Sequence, residues 1–164
     1  MPPRSPKIRR KTAPRRISPN PIRTLHEADK AESSVLRRCD NYRWSGVEVE
    51  PYKLKTNQAR DFAGASRQVL AGKAGEKTKF HVRYFELQPG GFTSLEHHRH
   101  SHLVIGVRGH GRVRIGDSCY DLRRFDTLYI GPHRPHRLEA SGRGRFGFFC
   151  IVDAHRDKPR PFRE

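Results

Sequence analysis

Beyond Asp40 the chain is built from short segments in which apolar and polar residues alternate, interrupted by Gly, Pro, Asn and Asp. A period of two belongs to strands with one buried face, and punctuation at this density belongs to an all-β sandwich or barrel. The pattern predicts strands over 43–49, 67–71, 79–88, 92–98, 102–108, 111–116, 119–123, 127–131, 136–140 and 145–152. Turns are expected at Pro89-Gly90-Gly91, Gly109-His110-Gly111, Gly116-Asp117-Ser118, Gly131-Pro132 and across 141–144. Over 80–87 the alternation is imperfect and does not say which face is buried. Phe80, Phe85, Phe92, Leu103 and Ile105 are core candidates. One helix is expected ahead of the strands. Thr24-Leu25-His26-Glu27 fits a capping box, and Leu25, Ala28, Ala31 and Val35 recur at helical spacing.

Composition adds four constraints. A hydrophobic share of 34% in 164 residues supports one modest core. The longest uncharged runs, such as 146–152, fall far short of the roughly 20 apolar residues of a membrane helix, so no membrane partner is expected. The net charge is +17, from 34 Lys and Arg against 17 Asp and Glu. Residues 1–23 hold eight bases, six prolines and no acid, which predicts a disordered basic tail. Such a tail can meet nucleic acid or other anions without specificity, although it has no aromatic residue for base stacking. Cys39, Cys119 and Cys150 are widely spaced without a C-x-x-C, and no secretory signal is evident. A reducing, cytoplasmic setting is expected.

The chemistry lies in the histidines. Seven of the ten fall between His97 and His136. Glu96, His98, His100 and His102 share parity; with a corner at 99–101, Glu96 and His98 end one strand and His102 opens the next. His136 offers a distant fourth ligand. Imidazoles and a carboxylate converging inside a rigid barrel suit one divalent transition metal: Fe, Mn, Cu, Ni or Zn.

In its stretch Pro89 to Gly111, and again in Phe125-Asp-Thr-Leu-Tyr-Ile-Gly-Pro-His-Arg-Pro-His136, the sequence resembles the two motifs of small, single-domain metal-binding cupins. The resemblance covers roughly 80–153. It implies a double-stranded β-helix, a conical jelly-roll-like barrel, with Glu96, His98, His102 and His136 as metal ligands. The 34 residues from His102 to His136 suit compact members. Glu96 stands where the family usually has His, and His102 where it usually has Glu. Phe125 replaces a glycine, and His133 replaces the glycine of the usual Pro-Pro-Gly turn. Whether His100 takes the place of Glu96 stays open.

The chain therefore divides into a tail (1–23), a helix with extra strands (24–78), the barrel (79–155) and a C-terminal tail (156–164). His100 and Cys150 are the catalytic candidates, as a proton shuttle or a tuning thiol. Arg83, Tyr84 and Tyr129 are candidate pocket residues, and Trp44 is either a packing anchor or an interface residue. The resemblance implies pairing into a homodimer. The function expected is that of a metal-dependent oxygenase of dioxygenase type on a small-molecule substrate. The alternatives are a non-catalytic metal or ligand sensor and a metal-dependent isomerase or cyclase.

Overall fold

The computed structural model describes residues 35–53 and 61–162. The basic tail and all of the expected helix but Val35 lie outside them; Val35 is exposed and not helical. The strands are β1 (Arg38–Cys39), β2 (Arg43–Trp44), β3 (Glu50–Pro51), β4 (Ala63–Ala71), β5 (Phe80–Phe92), β6 (Glu96–His97), β7 (His102–Arg108), β8 (Gly111–Ile115), β9 (Ser118–Leu122), β10 (Thr127–Ile130), β11 (His136–Ala140), β12 (Phe146–Asp153) and β13 (Arg160–Pro161). β1 and β2 form a small ribbon. The other eleven form one sheet in the order β10-β7-β12-β5-β11-β6-β13, with β3 and β4 beside β5 and with β8 and β9 beside β11. Every pairing is antiparallel, and the sheet curls into a nearly closed barrel.

β5 holds the barrel together. It pairs with β4 and β12 along its length and with β11 at Phe92. Its imperfect alternation has a physical reason: both faces are covered. Phe85 and Leu87 join the interior core with Val104, Val113, Leu138, Phe146, Phe148 and Val152. Tyr84 faces the ribbon instead, stacking on Tyr42 and lying 4.9 Å from the Trp44 ring. Beside it, buried Glu86 accepts from Tyr84 (2.9 Å), Arg108 (2.7 Å) and Arg145 (2.8 Å). Trp44 is thus a packing anchor, and Tyr84 packs behind the barrel wall, not in a pocket.

Several expectations change. The strand at 43–49 is only Arg43–Trp44. Pro89-Gly90-Gly91 does not end a strand; it bulges within β5, where Ala63 to Ala65 of β4 spans Phe92 to Leu87. Gly90 there has φ +72°, and a Cβ on Gly91 would sit 2.8 Å from the Gln88 carbonyl oxygen. Leu103 and Phe80 are partly exposed, and Tyr129 faces solvent. In β7 the inward parity belongs to His102, Val104 and Gly106, so Leu103 points out. The segment after 155 does not trail away: β13 pairs with β6, and the Phe162 N–H donates to the Leu95 carbonyl.

The two positions that depart from glycine in the resemblance, Phe125 and His133, have φ of 71° and 61°. An L-residue in this left-handed region pays roughly 1–2 kcal/mol. Phe125 is also 70% exposed and contributes little to the core. Phe125→Gly is expected to stabilise the protein by about 1 kcal/mol, after the entropy glycine adds to the unfolded chain. Urea denaturation would read this as a higher midpoint at unchanged m-value.

Candidate metal centre

The turn at 98–101 and the starts of β7 and β11 meet at one end of the barrel. His136 lies opposite Glu96 across β11 and β6, while His102 lies opposite Ile130 across β7 and β10. The His133 N–H donates to the His98 carbonyl at 2.7 Å, tying the two loops together. This brings His98, His102 and His136 into one buried group whose ligand atoms lie within 4.8 Å of one another. The rings of His98 and His102 stack at 4.6 Å, and His136 stands edgewise to both, at 4.9 and 5.1 Å.

Hydrogen bonds decide which nitrogens point inward. Nδ1 of His98 donates to the His100 carbonyl at 2.8 Å, and Nδ1 of His136 donates to the Arg134 carbonyl at 2.8 Å. His102 Nδ1 meets the Cys150 sulfur at 3.3 Å. That leaves three Nε2 atoms for the centre, and those of His98 and His102 are buried without a partner. Buried polar atoms without partners are costly, and a cation accepting their lone pairs removes the cost. The residues present therefore fit a transition metal.

Burial, followed by the neighbouring imidazoles, holds His98 down at about 4; burial likewise holds His102 and His136 below their ordinary value. All three are neutral near pH 7, the form that can ligate a metal. The unfolded chain takes up these protons near 6.5, before the folded one does. Folding stability is then full above about pH 6.5 and falls as pH drops toward the folded values. Thermal melts of metal-free protein between pH 7.5 and pH 4.5 should show a falling Tm, and bound metal should leave over the same range.

The remaining candidates are placed as follows. Glu96 is buried and lines the same cavity, but it does not join the three-histidine group. Its carboxylate accepts from Lys53 Nζ at 2.5 Å and faces the Tyr52 hydroxyl at 3.5 Å. His100 stacks on His98 at 3.6 Å, and its Nδ1 donates to Asp157 at 2.8 Å. The amide and ring donors of Arg99 and His100 hold the Asp157 carboxyl far below the usual range. Cys150 is buried, which pushes its thiol up, while Arg83 Nη2 donates to the sulfur at 3.2 Å and opposes that shift. Lys53, Tyr52, Arg156 and Asp157 were not singled out from the sequence. Arg156 and Asp157 fall in the segment read as a C-terminal tail, and nothing local distinguished Tyr52 and Lys53.

These groups surround a cavity of about 510 Å³. His98, His100, His102, His136 and Cys150 line it, Phe85, Leu138 and Phe148 form apolar wall, and Arg67, Arg83 and Arg156 supply positive charge. That volume suits a small organic molecule.

Comparison with known proteins agrees with this architecture. Residues 83–152 match the Cupin domain family. The chain is 35% identical over 119 residues to the 1-methylthio-D-xylulose 5-phosphate methylsulfurylase of Rhodospirillum rubrum, covering 73% of this chain and 74% of the relative. It superposes with a TM-score of 0.69 on a cupin 2 conserved barrel domain protein from Rhodopseudomonas palustris, at 36% identity over 78% of this chain and 86% of that one. A cupin-2 domain structure from Rhodospirillum rubrum gives 0.68 at 35% identity, covering 75% and 80%. With its barrel, both motifs and three convergent imidazoles, the chain belongs to the cupin superfamily.

Proposed function

We propose that this protein is a metal-dependent cupin enzyme in which His98, His102 and His136 hold one divalent transition metal, and that its reaction is a methylthio transfer of the kind its Rhodospirillum rubrum relative is named for. The observation that carries this reading is the buried thiol of Cys150, which lines the cavity and touches His102. A methylthio group needs an acceptor, and a thiol is the natural one.

When bound, the metal supplies a Lewis acid beside the substrate's oxygens. With Nε2 of His102 given to it, the ring keeps its proton at Nδ1 and donates it to the Cys150 sulfur. Arg83 donates to the same sulfur, so two N–H groups stabilise it as the thiol gives up its proton. In the transfer, the bond between the substrate carbon and the methylthio sulfur breaks. A sulfur–sulfur bond forms to Cys150, and the thiol proton ends on the carbon. The carbon is reduced and the two sulfurs are oxidised to a disulfide, which a second, soluble thiol then cleaves to restore Cys150. His100, held by Asp157 on Nδ1, keeps Nε2 for moving the proton. Phe85, Leu138 and Phe148 give the cavity its apolar wall, which disfavours water there.

A second reading, an oxygenase, draws on the same three histidines, which would hold a metal able to supply redox chemistry toward O₂ beside a small substrate in the cavity. One experiment separates the two. Tag-free protein loaded with each metal is incubated with 1-methylthio-D-xylulose 5-phosphate and a soluble thiol, while oxygen is followed by electrode. Methylthio transfer to the thiol without oxygen uptake, lost in Cys150→Ser, is the expected result. Metal-dependent oxygen uptake that persists in Cys150→Ser would establish the oxygenase instead.

A further inference from the structure

We infer that Arg83 and Arg156, backed by Arg67, form a seat for a phosphate monoester on the β4–β5 side of the cavity, so that the substrate is anchored by a phosphate while its other end meets the histidines. The inference rests on the function proposed above and deepens it.

Charge in the cavity is one-sided. Five Lys and Arg side chains line it against two carboxylates, Glu96 and Asp157. Both carboxylates are occupied, Glu96 by Lys53 and Asp157 by the donors of Arg99 and His100. Among the described residues, neither Arg83 nor Arg156 pairs with a carboxylate. Arg67 is tied to Glu50 at 2.6 Å.

Strand pairing concentrates these cations. Arg83 lies between Val69 of β4 and Cys150 of β12, and Arg67 lies on β4 two residues before Val69. Arg156, just past β12, is fastened by Nη1 to the carbonyls of Asp153 and Ala154, at 3.1 and 3.3 Å, and to His81 Nδ1 at 3.2 Å. Burial and the fields of Arg83 and Arg67 hold Arg156 below its ordinary value, as expected for like charges brought together.

A solvated basic rim would look different, because its cations would end in water. Arg83 does not. Its guanidinium lies over the Phe85 ring at 5.1 Å, its Nη2 is on Cys150, and its Nε is buried with no partner. An unmet buried N–H among like charges is a cost that an anion removes. Several guanidiniums match a dianion better than a carboxylate, and their planar forks suit phosphate oxygens. Arg83 Nη2 is 3.2 Å from the Cys150 sulfur, itself 3.3 Å from His102 Nδ1. A ligand held by its phosphate at Arg83 is thus one cysteine away from the metal site.

The test is calorimetric titration of inorganic phosphate into metal-free and metal-loaded protein, with Arg156→Gln, Arg156→Lys and acetate as controls. Phosphate should bind both forms of the wild type and outcompete acetate. Arg156→Gln should weaken it by about tenfold or more, with Arg156→Lys in between. Circular dichroism and thermal melts establish that each variant is folded; if Arg156→Gln is not, the Lys variant against wild type supplies the comparison. Equal phosphate affinity across folded variants, or binding only to metal-loaded protein, would overturn the seat. Failure of methylthio transfer with phosphate binding intact removes the proposed reaction and leaves the seat. Transfer intact with phosphate ignored removes the seat alone.

Discussion

His136→Ala is expected to abolish stoichiometric metal binding while leaving the barrel folded. Its imidazole is one of three donors in a buried group, and the Arg134 carbonyl on its Nδ1 fixes Nε2 toward the other two. Removing an outer partner of a metal ligand typically costs about 10–100-fold in affinity. Removing the ligand itself should cost more than that, leaving two imidazoles and water. Elemental analysis of dialysed, tag-free protein reads the loss, with circular dichroism as the folding control. Glu96→Gln makes the informative contrast. Because Lys53 and Tyr52 already engage that carboxylate, this variant should keep about one metal per chain with lower affinity. Loss of metal from Glu96→Gln equal to that from His136→Ala would return Glu96 to the ligand set.

Phe146→Ala should be among the most destabilising single changes in the core, at about 3–5 kcal/mol. The side chain is fully buried, packs 5.1 Å from Phe148 and covers Gly111 of β8. A Cβ on Gly111 would lie 2.2 Å from the Phe146 ring, so the glycine exists to admit that ring. Against a typical total of about 5–15 kcal/mol, the loss is large enough to read in a single urea titration. The pair also predicts non-additivity. Gly111→Ala alone should destabilise by overpacking, yet cost less in the Phe146→Ala background, where the methyl enters the vacated space. Strict additivity in that double-mutant cycle would mean the ring and the glycine do not share the site as described.

Much of the barrel was legible because alternation is a local property that one-sided burial imposes on each strand. β7 and β11 run over the residues expected, 102–108 and 136–140. The clustering of histidines between 97 and 136 pointed to the centre, and three of the four expected ligands converge. In β5 the local pattern failed because both faces are buried. β5 is covered by the interior on one face and by the Tyr42–Trp44 ribbon on the other, so its alternation blurs. The parity argument for His102 already implied that Leu103 points outward, because neighbours on a strand face opposite ways.

The sequence by itself determined an all-β sandwich or barrel, from the period of its strands, and the shared parity of its clustered histidines, from their spacing within about 40 residues; the choice of barrel came from the resemblance of its two motifs to the cupins. Only the tertiary structure decided what each charged group meets. Lys53 reaches Glu96 across 43 residues, Asp157 reaches His100 across 57, and Arg83 reaches Cys150 across 67. Those partners are chosen by which strands lie side by side in the curled sheet. A buried carboxylate or thiol takes its chemistry from such neighbours, because in a medium of low polarity the nearest donor outweighs everything the chain carries next to it in sequence.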